Sequence, residues 1–371
     1  FNWLDSRLTP PREPRKGIEG ELWMVHSGGF YQVEKMQLAP EELPPVLHWF
    51  KWEAGFTWIT GMLLLVIVYY LGSGAFLLDR SVADIGMGAA IAIGVGTIVI
   101  AWVAYDALWQ SSLVRAGAVL AVISTALAVL AAYGLSQVLS GRAAYMHVGA
   151  MLGTLMAANV WVRIIPAQRQ LVAATKAGTA PDARLAANAK ERSLHNNYMT
   201  LPVVFIMVSS HFPSTYGHRW SWAVLAVLGL VGAGVRHFFN LRNKGRRNVW
   251  LIPAAAVAVL ALMVLTAPRP AAPTAGDATG AVAEPVSFVA ARDIIIRRCV
   301  TCHSANPTDP NFNVPPADIA FDTPDQIKAL AARIHARSVA SRTMPLGNNT
   351  DMTEEERGLL GRWIGAGAEI E

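Results

Sequence analysis

Seven apolar runs dominate the first two thirds of the chain, at about 54–71, 86–105, 116–138, 145–162, 199–211, 220–239 and 249–267. A bilayer helix needs about 20 such residues to cross roughly 30 Å of hydrocarbon, and most of these runs are near that length. In lipid every backbone polar group must be satisfied internally, which confines spanning segments to helices or closed barrels. Composition agrees: hydrophobic residues are 53 % and charged residues 15 %, against roughly 25 % charged in ordinary globular chains. The expected fold is all-α, a polytopic transmembrane bundle of seven helices followed by a small polar tail. The run at 199–211 is short, and reads either as re-entrant or as a crossing helix extended at its polar ends. The formal charge of +5 carries no nucleic-acid signal, because the basic residues sit in loops between apolar runs.

This pattern divides the chain into four segments. Residues 1–53 are polar, Pro-rich and aromatic, 54–267 hold the spans, 268–286 form a Pro/Ala-rich linker, and 287–371 form the tail. If every run crosses, residues 1–53 share a side with the loops at 106–115, 163–198 and 240–248. Those segments hold seventeen Lys and Arg, against Arg80, Arg142 and Arg219 opposite. Positive residues stay inside, so the first set is cytoplasmic and the tail lies outside. The chain opens at Phe1 with no signal peptide in view, so a further segment is expected upstream.

The tail carries Cys299-Val300-Thr301-Cys302-His303. A C-x-x-C-H run reads as a c-type haem attachment site: two thiols three residues apart share a helix face and reach two vinyl groups, while His303 faces the iron. A redox pair wants a thioredoxin-like context and a zinc site a further ligand pair; neither is present, and no other cysteine exists. The sixth ligand is expected to be Met344, in the loop Arg342-Thr343-Met344-Pro345-Leu346-Gly347. Its competitor, Met352, stands against Thr353, whose T-x-x-E spacing with Glu356 reads as a capping box. Thr323-Pro324 reads as another helix start. The tail resembles class I cytochromes c, with three short helices about one covalent haem c. Covalent attachment of that kind takes place on the outer side of the bacterial inner membrane, which agrees with the charge argument.

Ionisable groups within spans are costly and suggest function. On the expected inner side stand His48, Lys51 and Glu53 before the first run, Asn159 and Arg163 four apart on the fourth, and His195-Asn196 opening the fifth. These seven are the candidate catalytic pocket. Histidines also stand at two levels, His195 and His237 inside and His147 and His211 outside, which could hold a non-covalent haem b bridging the membrane. A bland reading competes for each residue: basic side chains at helix ends snorkel, and Trp and Tyr there form interfacial belts.

The stretches Phe1-Asn2-Trp3-Leu4-Asp5, His48-Trp49-Phe50-Lys51-Trp52-Glu53-Ala54, Asn159-Val160-Trp161, Ile165-Pro166-Ala167-Gln168-Arg169 and His195-Asn196-Asn197-Tyr198 resemble the bacterial membrane-bound urate oxidase (urate hydroxylase) family. That resemblance covers essentially the whole chain. It implies a multi-helix domain with one further helix before Phe1, eight in the full protein, joined to a periplasmic cytochrome c. It further implies oxidation of urate to 5-hydroxyisourate, electrons leaving through haem c to a respiratory-chain acceptor, without hydrogen peroxide. The soluble, cofactor-free urate oxidase has a different fold, and none of its residues carries over. A rival reading is a non-catalytic membrane-anchored cytochrome c, or a subunit of a respiratory oxidase or dehydrogenase. A plain anchor needs one helix, and seven with buried polar groups weigh against it.

Overall fold

A computed structural model describes the chain except residues 1, 6, 14–15, 37–42, 44–45, 72–73, 268–285 and 371, so the 268–286 linker lies almost wholly outside the described residues. The architecture is mostly helical. After α1 (Asn2–Asp5) comes one departure from the all-α expectation, an antiparallel hairpin of β1 (Ile18–His26) and β2 (Gly29–Met36). Its turn is Ser27-Gly28, both with positive φ, as a two-residue hairpin turn requires. Burial alternates only in short stretches of each strand, Leu22–Val25 and Val33–Met36, too brief for a period-2 signal to stand out in the sequence.

The membrane region comes next as α2 (Trp52–Leu65), α3 (Met87–Gln110), α4 (Gly117–Ser136), α5 (Gly141–Ala158), α6 (Ile165–Lys176), α7 (Ala183–Ser209), the short α8 (Pro213–Tyr216), α9 (Ser221–Asn243) and α10 (Leu251–Thr266). Among the described residues five helical stretches, against the seven expected, are long and apolar enough to span: Trp52–Tyr70, Met87–Gln110, Ser112–Ser136, Gly141–Lys176 and Ser221–Asn243. The short apolar run at 199–211 belongs to a 27-residue helix extended through its polar N-terminal half. α10 is apolar but 16 residues long. Apolar side chains such as Leu63, Leu64, Val257 and Val264 point outward from α2 and α10, as lipid-facing surfaces do.

α5 is the hub of the bundle, packed against α2, α3, α4 and α7, while α10 leans on α9. A wide π-turn, Asn159–Ile164, joins α5 to α6, and Pro166 falls in the first turn of α6, directly after that widening. Another π-turn, Val66–Tyr70, ends α2.

The tail builds its own core. α11 (Phe288–Arg298), α12 (Pro324–Ala329), α13 (Ala331–Ile334) and α14 (Glu354–Gly365) enclose Phe288, Ile295, Ile327, Met352, Leu360 and Trp363. Thr323 caps α12 and Thr353 caps α14, each in a full capping box, with Gln326 and Glu356. The middle helix breaks at Leu330, so there are four short helices rather than three. Arg298 binds Glu356 at 3.0 Å, tying α11 to α14.

Candidate functional site

The inner-side residues converge where α3, the π-turn and α7 meet. α3 supplies Tyr105, Asp106 and Trp109 from its last turns; α7 supplies Arg192, His195 and Asn196, spaced so that all three share a face. The π-turn sends Asn159 and Arg163 the same way; such single wide turns re-aim side chains and recur at functional sites.

One carboxylate lies between two guanidiniums. Arg163 grips Asp106 in a bidentate fork, its Nε at 2.9 Å, and Arg192 Nη2 reaches the same carboxylate at 3.0 Å. Arg192 is fully buried, lies over the Tyr105 ring at 4.8 Å, and leaves its Nε without a hydrogen-bond partner among the described residues. Asn159, also fully buried, donates to Tyr105 Oη at 3.0 Å and to Asn196 Oδ1 at 2.9 Å. Tyr105 Oη and His195 Nδ1 are 2.8 Å apart, and Trp109 packs on the imidazole with ring centres 4.1 Å apart. Two guanidiniums thus share one bonded carboxylate, and the charge of Glu191 also acts on Arg192. A buried donor without a partner costs about 1–3 kcal/mol and calls for a water or ligand.

Four of the seven expected pocket residues, Asn159, Arg163, His195 and Asn196, therefore come together. His48, Lys51 and Glu53 stand apart: His48 Nε2 lies 3.5 Å from Glu53 with both side chains exposed, and Lys51 sits over the Trp52 ring. Sequence reasoning missed Tyr105, Asp106 and Arg192. Asp106 stands one residue beyond an apolar run, where hydropathy alone ends the helix. Arg192 lies in a polar stretch with the hydropathy of a loop, although its i, i+3 spacing to His195 was the available signal.

At the end of the bundle expected to face outward, His147 is wholly buried. Its Nε2 is 2.8 Å from Tyr70 Oη and its Nδ1 2.8 Å from the Ala143 carbonyl, so both nitrogens are engaged. Gly94 packs against the imidazole closely enough that a Cβ would stand 2.6 Å from it. His211 is exposed at the end of α7. His237 bonds Tyr198 at 2.6 Å.

In the tail, Cys299, Cys302 and His303 continue α11 by one turn, the His303 amide bonding the Cys299 carbonyl at 2.9 Å. His303 Nδ1 lies 3.1 Å from the Ile319 carbonyl, which leaves Nε2 for a metal; a ligating histidine is normally oriented in this way through its other nitrogen. Burial chiefly, then the nearby Arg333, holds the imidazole below its ordinary value against the pull of the Ile319 carbonyl, so it is neutral at pH 7. Burial pushes the Cys299 thiol up to about 12 and raises Cys302 as well. Redox and zinc cysteines need lowered values, whereas thioether sulfurs need no ionisation. Met352 is buried in the core at 4 % exposure, while Met344 lies half-buried in a loop. These residues suit a covalent haem held by Cys299 and Cys302, with His303 and Met344 as axial ligands.

No characterised protein and no solved structure matches the chain. The family model described as urate oxidase N-terminal matches residues 1–267, the hairpin and the whole helical region with the inner cluster. A match over that share of the chain shows the family: this protein belongs to the urate oxidase N-terminal family.

Proposed function

We propose that the protein is a membrane-bound urate oxidoreductase that converts urate to 5-hydroxyisourate and passes the electrons outward through its tail. Urate and water give 5-hydroxyisourate, two protons and two electrons. A covalent haem c in the tail accepts one electron at a time, so each turnover takes two transfers to a one-electron acceptor of the respiratory chain.

The observation that carries this reading is Arg192, wholly buried, its Nε without a hydrogen-bond partner among the described residues and its fork shared with Arg163 on the Asp106 carboxylate. Urate at neutral pH is a planar monoanion, suited to a pair of guanidiniums that share one bonded carboxylate. A guanidinium fork suits such an edge, Asn159 and Asn196 offer amide donors and acceptors, and Trp109 and Tyr105 offer flat faces. With Nδ1–H donating to Tyr105, His195 presents Nε2 as the base that takes a proton from urate or the attacking water. A membrane anchor alone would have no use for a buried ionic cluster.

The electrons have far to go. Ser140 at the outer end of α5 and Asn159 are separated by about 28 Å of helix at 1.5 Å per residue. Aromatic groups shorten that gap from both ends, Trp109–His195–Tyr105–Trp102 inside and Tyr70–His147–Tyr69–Phe76 outside. A haem b on His147 and His211 is the other bridge, and it would have to part Tyr70 from His147. Pyridine haemochrome analysis decides between them: haem b beside haem c supports the second bridge, haem c alone removes it.

The central test is a spectrum. Purified full-length protein should show a reduced c-type haem on addition of urate, and Arg192→Gln should lower the rate constant per urate by about a hundredfold, the cost of breaking a buried charged contact. No reduction by urate in the parent protein would sink the reading.

A further inference from the structure

The tail does not stand free of the bundle. It touches two outer turns, one between α2 and α3 and one at α8, through the loop that carries Met344. Gly347 lies so close to the first turn that a Cβ would stand 2.7 Å from the Leu78 carbonyl and 3.0 Å from that of Ala75. The Arg80 amide bonds the Gly347 carbonyl at 3.4 Å, and the Arg80 side chain faces Asp351 at 3.8 Å. From the other side, Gly217 lies against the Ser341 carbonyl and the Thr343 methyl, and the charge of Arg337 lies near Tyr216. A glycine from each partner thus meets the other's backbone, the close approach that glycine alone permits. Met344 stands between the two contact points.

The receiving turns are held firmly. Ser140 binds the Phe76 carbonyl at 2.6 Å and the Leu77 carbonyl at 3.0 Å. Tyr145 binds the carbonyls of Thr215 at 3.1 Å and Ser221 at 2.7 Å. Arg142 lies over the Phe76 ring at 4.8 Å. The outer aromatic group of Tyr69, Tyr70, Phe76 and His147 lies directly behind this platform.

We propose that these two turns are the electron-entry dock of the tail, and that electrons from the bundle enter through the Met344 side. An acceptor outside the cell membrane must then be served from another face. The proposal rests on the haem reading of the tail. Each entry reduces ferric iron by one electron drawn from urate or its one-electron oxidised form, with the released protons left in the bundle.

The test uses the full-length holoprotein in membranes or nanodiscs. Gly217→Leu drives a side chain into Ser341 and Thr343; Arg80→Glu, an exposed change that leaves folding intact, sets like charges opposite each other. Both should raise deuterium uptake across residues 341–351. Gly217→Leu should slow urate-driven haem reduction by about tenfold or more, and Arg80→Glu by roughly threefold. The haem spectrum, its potential and its reduction by dithionite should stay as in the parent. Reduction at the parental rate despite greater uptake would overturn the entry route, and unchanged uptake in both variants would overturn the dock. A parent protein that urate does not reduce tells against the urate reading instead, while the uptake result still decides the dock.

Discussion

Asp106 holds Arg163 and Arg192 with a single carboxylate of which the side chain is 16 % exposed. Removing that charge leaves two guanidiniums facing each other in a poorly solvated place, where a broken pair costs about 3–5 kcal/mol. Asp106→Asn should therefore lower the bundle's unfolding temperature and raise the KM for urate, read from thermal melts and from haem-reduction kinetics. Asp106 also marks the limit of what single residues say. Its acidic character one step past an apolar run looks like a loop, and only the continuation of α3 to Gln110 turns it inward. Asn159 and Arg163, four apart and inside a span, were legible because lipid makes such residues expensive. In the tail, Met344→Ala should abolish the Met–iron charge-transfer band and lower the potential. Met352→Ala should leave both unchanged while destabilising the core by about 2–5 kcal/mol, because Met352 packs with Phe288 and Trp363. A larger spectral change in Met352→Ala would reverse the ligand assignment.

Three π-turns lie among the described elements: Val66–Tyr70, which carries Tyr70 to His147; Asn159–Ile164 at the inner cluster; and His335–Ala340, which leads into the Met344 loop. Each holds one residue more than an α-turn, so deleting one residue restores regular α-helix and re-aims the side chains within the turn. Deletion of Val162 should leave the helix intact by circular dichroism, release Arg163 from Asp106, and weaken urate at least about tenfold. Hydropathy cannot reveal such turns, because a π-turn and an α-turn hold the same apolar residues. Capping is the opposite case: Thr353-x-x-Glu356 was readable and is present. Burial would raise the Glu356 carboxyl, but the Thr353 amide and the Arg298 and Arg297 charges hold it below its ordinary value. The stability it gives is complete above the ordinary carboxylate range and is lost as pH falls through the depressed value. Acid melts of the holoprotein should show the tail weakening below about pH 4. Glu356→Gln should flatten that limb and lower stability at pH 7 by about 1–2 kcal/mol.

At the scale of the molecule, the segregation of basic residues predicts an orientation that can be checked directly. Asn243→Cys, at the end of α9 beside Arg242, Lys244, Arg246 and Arg247, should resist impermeant thiol reagents in intact cells and react after lysis. Ready labelling in intact cells would invert the topology and remove the tail from the side where covalent haem is attached. The order of the helices was legible from apolar runs, though five stretches rather than the expected seven are long and apolar enough to span among the described residues; which helix sits at the centre was not legible, since α5 differs little from its neighbours in composition. That central position has a further meaning. Ser140 and Tyr145, which brace the outer turns, and Asn159 and Arg163, which line the inner cluster, belong to one continuous helical rod from Gly141 to Lys176 and its cap. Where such a rod takes two positions, binding events at its ends are linked: whatever factor tail engagement applies to urate affinity, urate applies to tail engagement in return. A rod that shifts with substrate would thus report occupancy of the cell's interior to the exterior surface, a signal written in helix displacement and independent of any electron that later passes along it.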